Sequence, residues 1–576
     1  MARIIGIFLR VALVLIGLST LLSAQDLPDV AQGLQPYVSY HGGELDQVST
    51  LNGGLTVRIP LVSYPQKGSL SLSYSVIFNS FGFEDLAQCT TSQGGPIDGI
   101  PLRFNCSNNI QPVPIVFSSN PPPSPRLVMD QQLQGGGSSY INPQYYNTMF
   151  GGFYVITPDN AEHPLGLAAD GYYRSIDGAG YRFSPSSTPA YLSNLGKPEA
   201  AYSGDTTITM TPAAGTIVDS KGITYTATSI ADLDNNTISV PSGGFPVTDS
   251  TGRTISAPVS TSTSQCPSIA QAQNQPLSSA LLWQPPGSGS GYIFCYASVS
   301  IRTNFLPTHN ASNREYVHTW SMLQSIVLPN GTFWGFIYDS SNGSTPALGQ
   351  LMTLIYPTGG QVSYTYGYFE GFCNSLRESG TVPASILTFP TTIATRTMKD
   401  AQGDVLGTWT YDCPANIDYI HGTIVSPTGD LTVTKFTPDS SYGVGCSYLN
   451  AGQDEYQGNP ATSMNPLVIP SSVKPLRSTS VSYEWPNGPE GPPGSTAREI
   501  QRTTVLNGTS TSSVQKSYAP GILFYTLECN GFGQNCAAAG TGYSIPIGGP
   551  VLTTYTDYSG TVLKKDAVTY QWQANS

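Results

Sequence analysis

Apolar and aromatic residues in this chain recur at every second position over short runs, and turn-forming residues separate the runs. Leu55, Val57 and Ile59 alternate with polar neighbours, Pro65-Gln66-Lys67-Gly68 reverses the chain, and Leu70, Leu72, Tyr74 and Val76 alternate again. That pattern predicts a hairpin with one buried face. The clearest case is 325–366. Ile326 and Leu328 lead into Pro329-Asn330-Gly331, where Asn and Gly both tolerate positive φ, and the chain continues through Phe333, Trp334, Phe336 and Tyr338. Leu351, Leu354 and Tyr356 then approach a second turn at Pro357-Thr358-Gly359-Gly360, and Val362, Tyr364 and Tyr366 follow at period two. Two successive units of strand, turn and strand ending in Tyr are an internal repeat. Beyond the first 24 residues no amphipathic helix of three turns is predicted. The expected fold is all-β: consecutive antiparallel hairpins forming a strip of repeats or linked β-sandwiches.

The same grammar recurs on both sides of that stretch. Strands are predicted around Pro158-Asp159-Asn160 and Asp177-Gly178, and further turns at Asp219-Ser220-Lys221-Gly222, 232–236 and 249–253. Downstream, 396–412 and 425–436 each read as strand, turn, strand, and 481–485 and 553–572 are strand-like. Between 88 and 145 the alternation gives way to Gly, Pro, Ser and Asn, which predicts a long surface excursion. A Pro- and Gly-rich linker at 486–495 is expected to set off a last block. The organisation predicted is a leader (1–24), an N-terminal hairpin region (25–87), the excursion (88–145), a β-rich domain (146–310), a repeat domain (311–480) and a C-terminal β block (481–576).

The wording of the repeat, L-P-N-G-T, F-I-Y-D, G-Q-L and L-I-Y-P-T-G-G-Q-V-S-Y-T-Y, resembles the YD repeat of bacterial Rhs/YD-repeat proteins. The strand G-L-T-V-R-I-P-L, followed by L-S-L-S-Y and then N-S, is similar to the opening of their N-terminal regions. Asp219 to Tyr225, Asp232 to Ile238 and Thr248 to Arg253 present further phrases of the family in its order. The resemblance covers about two thirds of the chain after the leader. It implies a secreted or surface-exposed β-strip of the kind that wraps into a hollow shell, often around a C-terminal toxin segment. Long members carry many more repeats and a self-cleaving core, neither of which these residues show, so an open strip is the expectation.

Composition narrows the setting. Only 10% of the 576 residues are charged, well under the share of about a quarter in ordinary soluble domains, and Gly (60) and Tyr (34) are abundant. The net charge of -12 is dispersed without a Lys/Arg cluster, which disfavours nucleic acid as a partner. Arg3 and Arg10, the apolar run 11–22 and Ser23-Ala24 read as a signal peptide, with Gln25 opening the mature chain. Leu22 stands where a small residue is preferred before the cut, so an uncleaved anchor is the second reading. Membrane contact is expected only through that segment, and the mature chain is expected to be secreted or on the cell surface. Nine cysteines in an exported chain predict disulfides, sequence neighbours being the simplest pairs: Cys89 with Cys106, Cys266 with Cys295, and Cys529 with Cys536.

Chemistry-bearing patterns are sparse. No G-x-S-x-G elbow, aspartic-protease triplet or H-E-x-x-H occurs, and His41, His163, His309, His318 and His421 are scattered, so they are expected to be surface or loop residues. Neither a cofactor nor a catalytic residue is assigned. Asp232, Asp234 and Asn236 alternate as Ca²⁺ ligands do, but Thr237 and Gly243 stand where an EF-hand loop places Gly and Glu, so a self-satisfied polar turn is favoured. Trp334, Tyr338, Tyr364 and Tyr366 either stack on sugar rings or fill the core, and period two favours the core. The expected role is a scaffold or shell component with a protein partner, which associates with itself through strand edges. The alternatives are an adhesin for cell-surface polysaccharide and, third, a glycan-active enzyme.

Overall fold

A computed structural model describes residues 34, 38–80, 82–91, 103–114, 126–136, 144–158, 161–167, 172–175, 179–185, 208–212, 215–241, 244–304, 315–368, 388–389, 391–413, 420–438, 448–464, 466–484, 498–518, 522–529, 536–545 and 551–567. Among them the fold is β throughout, with one 3-10 turn at Thr263–Gln265 and no α-helix. The leader, the Asp177-Gly178 turn and the linker at 486–495 lie outside the described residues.

Three sheets carry the architecture, and every strand pairing is antiparallel. A 4-stranded sheet runs in chain order through Tyr40–Gly42, Asp46–Ser49, Leu55–Tyr64 and Leu72–Asn79. A 17-stranded sheet begins at Val259–Thr261 and meanders to Val562–Ala567, almost every strand beside its sequence neighbour. A 15-stranded sheet extends from Thr254–Ile255 back to Phe83–Thr91, where Thr388–Phe389, lying in sequence between two strands of the long sheet, pairs with Phe83 and Glu84. None of the sheets closes into a barrel.

The repeat units fall where the alternation places them. Val317–Val327 pairs with Phe333–Tyr338, and Leu351–Ile355 pairs with Gln361–Tyr368. Inward positions on these strands join Val48, Leu55, Ile59 and Leu72 of the small sheet, and Ile230, Ile238 and Ile255 of the 15-stranded sheet, in one apolar core. Burial of that shared face is the main stabilising term, at about 25 cal/mol per Å² of apolar surface. A smaller cluster of Leu431, Val433 and Tyr456 lies under 461–469 further along.

One five-residue turn recurs eight times among the described residues, five times in the long sheet and three times in the 15-stranded sheet. At 219–223, 232–236, 249–253, 328–332, 356–360, 400–404, 426–430 and 557–561 the first residue's N–H donates to the fifth carbonyl, and the fourth N–H donates to the first carbonyl. The fourth residue has positive φ each time: Gly in seven turns (φ 82° to 92°) and Asn235 (φ 59°) in the other. This is the three-residue hairpin loop with a left-handed bulge residue, whose twist matches its strands. Two side-chain solutions support it. Asp219, Asp232, Asp249, Asp400 and Asp557 stand first and accept the third and fifth N–H groups on Oδ1 at 2.8–3.0 Å. Pro329, Pro357 and Pro427 instead stand second, where a fixed φ pre-forms the turn. Asn330 is therefore not at positive φ, although an Asn-Gly pair with both residues at positive φ does occur at Asn507 (49°) and Gly508 (71°).

Strand pairings also run through and across the expected segments. Arg103–Pro114 and Arg126–Gly136 are strands of the 15-stranded sheet inside the stretch expected to be an excursion. Arg477–Glu484 and Arg498–Leu506 pair directly, so the linker between them does not detach a last block. The long sheet likewise crosses the boundary expected at 310.

A Cβ on Gly429 (φ 84°) would meet nothing within 4 Å, so Gly429→Ala tests backbone strain alone. The expected loss is about 1 kcal/mol in urea unfolding, and Gly429→Asn should lose less, as Asn235 shows. A Cβ on Gly452 (φ 141°) would lie 2.0 Å from the Thr479 carbonyl oxygen, so Gly452→Ala should be the more damaging variant.

Candidate functional site

Asp46 and Val48 occupy one face of the strand Asp46–Ser49, and that face is pressed against the long sheet. Asp46 is 1% exposed and Arg396 is 4% exposed. The Arg396 guanidinium grips the carboxylate with both arms, Nε to Oδ2 and Nη2 to Oδ1 at 2.9 Å. The buried Tyr364 hydroxyl donates to the same carboxylate at 2.8 Å, and the Gly43 N–H reaches it at 3.3 Å. Burial and the neighbouring carboxylate push the Tyr364 phenol well above its ordinary range, so it remains a donor. Burial disfavours the Arg396 cation, but its bonds to Asp46 outweigh that and push its proton affinity up. Trp409 completes the cage, its ring 5.0 Å from the guanidinium carbon.

Half-buried His41 lies at the rim of this cage. Its Nδ1 is 2.8 Å from the Tyr411 hydroxyl, and its ring meets Tyr411 edge-on at 5.5 Å. Backbone contacts tighten the joint: Ile393 N–H donates to the Gly53 carbonyl at 2.9 Å. A Cβ on Gly422 would lie 2.5 Å from the Thr50 carbonyl oxygen.

The other end of the small sheet is held by two of the Asp turns. Ser69 N–H donates to Asp232 Oδ2 at 3.1 Å. Gln66 Nε2 donates to Asp249 Oδ2 at 3.2 Å, and Gln66 Oε1 accepts from Ser250 N–H at 3.0 Å. Arg253 bridges Asp249 and the Pro65 carbonyl at 2.6 Å each. Burial opposes ionisation of Asp249, but the Arg253, Thr251 and Gln66 donors outweigh it and hold the carboxyl well below the usual range. Asp232 accepts from Ser69, Asp234 and Asn236, and the Asn236 amide above all keeps its carboxyl low. These bonds account for the alternation that resembles a cation loop; among the described residues no cluster of three or more His, Cys, Asp or Glu forms a metal site.

The sequence-selected aromatics divide. Tyr338 and Tyr364 are 5% and 1% exposed, inside the core. Tyr338 donates its hydroxyl to the Leu323 carbonyl at 2.7 Å. Tyr366 is half-buried and donates to the Leu351 carbonyl at 2.9 Å. Trp334 is also half-buried, with its ring 5.2 Å from Tyr356. The Asp of the Tyr-Asp pair is occupied within the fold. Asp339 accepts the N–H groups of Leu348 and Gln350, which folds 340–350 back on the sheet, and burial pushes its carboxyl up.

Of the predicted disulfides, Cys266–Cys295 is formed, with Cα atoms 5.9 Å apart. It fastens 262–276 onto the long sheet, where Gln275 exchanges hydrogen bonds with the backbone of Tyr338. Cys89 and Cys106 stand opposite each other in strand register, as do Cys529 and Cys536, and their side chains lie outside the described residues. Of the histidines expected on the surface or in loops, His41, His163, His318 and His421 lie on strands; His318 is exposed, His41 and His421 are half-buried, and His163 is buried. His309 lies outside the described residues. Sequence reasoning missed the Asp46–Arg396 pair. Its signal was a charge in phase with apolar neighbours, Asp46 with Val48 and Arg396 with Met398.

No protein-family model matches the chain, and no curated protein matches it. Among solved structures, a chain of the TcdB2-TccC3 crystal structure aligns with 92% of this chain at 8% identity and a TM-score of 0.12. The alignment spans 38% of that chain's length, and a likeness of this size carries no argument about fold or function.

Arg396→Met leaves Asp46 buried without its cation, and should destabilise the chain by about 3–5 kcal/mol in chemical denaturation. In a double-mutant cycle with Asp46→Asn the two losses should be strongly non-additive. Peptide mapping under non-reducing conditions should recover Cys89 linked to Cys106 and Cys529 linked to Cys536, since direct cross-strand register brings the Cα atoms within bridging range.

Proposed function

We propose that the chain is an exported structural scaffold related to the Rhs/YD-repeat proteins, a rigid, disulfide-braced β surface that shields or presents another protein. The observation that carries this reading is the use made of polar side chains. The turn carboxylates, the Tyr hydroxyls and the Asp46–Arg396 pair bind the chain's own backbone and its own sheets, as a load-carrying surface requires. The resemblance of 325–366 to the YD repeat supports the same reading and supplies the expectation of a surface-exposed location.

A second reading, an adhesin for cell-surface polysaccharide, draws on Trp334 and Tyr356, whose half-buried rings offer apolar faces to a sugar. A glycan-active enzyme is the third. Self-association belongs to the first reading. Val562–Ala567 ends the strand order of the long sheet among the described residues, with Val562 48% and Leu563 68% exposed.

The test is retention of partners by the tagged full chain in its native culture, with bound protein and bound sugar both analysed. A protein recovered at fixed stoichiometry, with protease resistance of the complex, is expected of the scaffold. Polysaccharide recovered without protein would replace that reading with the adhesin, and Trp334→Ala should then release it. Sedimentation should show association that grows with concentration.

A further inference from the structure

The rim of the Asp46–Arg396 cage holds an ionisable group that the scaffold reading does not use. His41 sits on the edge strand Tyr40–Gly42, paired to Asp46–Ser49 and facing the long sheet through Tyr411. From the long sheet it faces Arg396, Trp409 and Tyr411; from its own sheet it faces Asp46, with Glu44 in the exposed turn beyond. The one buried carboxylate is already held by both arms of Arg396 and by Tyr364. Charging the imidazole would therefore place two cations against a single, fully engaged anion at a half-buried site.

We propose that His41 is a proton-operated latch: neutral, it lets the strand Tyr40–Gly42 close against the long sheet, and protonated, it loosens that strand while the Asp46–Arg396 pair holds the rest of the small sheet. The switch is the charge and not the hydrogen bond. Burial keeps the Tyr411 phenol protonated, and a hydroxyl can donate to a neutral Nδ1 or accept from a protonated one, so the contact survives either state. Burial foremost, then the Arg396 cation, lowers the proton affinity of His41, and Asp46 only partly restores it. The sign follows from linkage. The opened strand binds the proton more readily than the closed one, so closure is complete above the ordinary histidine value of 6.5 and weakens as pH falls below it.

Amide hydrogen exchange on the full chain tests this. The Thr50 N–H, bonded to the Ser39 carbonyl at 2.9 Å, and the Gly43 N–H, bonded to the Asp46 carbonyl at 2.8 Å, report on the latch. The strand Ser510–Ser517 serves as an internal reference for intrinsic exchange. Between about pH 7.5 and pH 5.5 the latch amides should open up to about tenfold more relative to the reference, the limit for one proton. His41→Gln should abolish that slope, with His41→Asn as the alternative where Gln packs poorly. Tyr411→Phe should raise opening at every pH and keep the slope. Equal slopes in wild type and both His41 variants would overturn the proposal, as would loss of the slope in Tyr411→Phe alone.

Discussion

An antiparallel meander of this length depends on one constraint: each turn must return the chain in register and with the twist of the sheet it extends. A single-residue slip would move every inward side chain to the outer face. The five-residue turn meets the constraint by putting its positive-φ residue in the bulge, which supplies the right-handed twist. Because the Asp and Pro versions support the same backbone, their sequences diverge while the geometry repeats. Asp219-Ser-Lys-Gly-Ile and Leu328-Pro-Asn-Gly-Thr share only the glycine, yet they make the same pair of backbone bonds.

That equivalence explains what was legible in the sequence. Period-two residues around 326–338 and 351–366 identified strands, pairing and core face, since all three follow from local alternation. The turn at Asn330-Gly331 was placed correctly, but those two residues alone do not fix its geometry. Asn-Gly signals a two-residue loop only when the flanking strands begin beside it, and here Pro329 already lies inside the loop. Strands within 88–145 were hidden because Gly and Asn dilute the alternation there, and pairing partners such as Arg126–Gly136 with Gln144–Ile156 become visible only in the sheet.

The candidate site was much less legible, and the reason is distance along the chain. Asp46 and Arg396 are separated by 350 positions, and no local pattern couples them. The aromatic residues show the complementary failure. Tyr364 and Trp334 look alike in an alternating run, but Tyr364 points at a carboxylate from another sheet and is sealed, whereas Trp334 packs beside Tyr356 at the margin of the core and stays half open. A role that depends on what arrives from elsewhere in the fold cannot be read from the strand that carries it.

The same separation gives the buried pair its physical meaning. A well-packed apolar pair in place of Asp46 and Arg396 would stabilise the joint as much or more, since desolvating two charges offsets most of their attraction. What the pair adds is selectivity. The face that carries Asp46 also carries Val48, beside Leu55 and Val57 of the next strand, and would otherwise stick to any apolar surface. Burying that carboxylate without a guanidinium costs several kcal/mol, which penalises every docking except the one that presents Arg396, Tyr364 and Trp409 together.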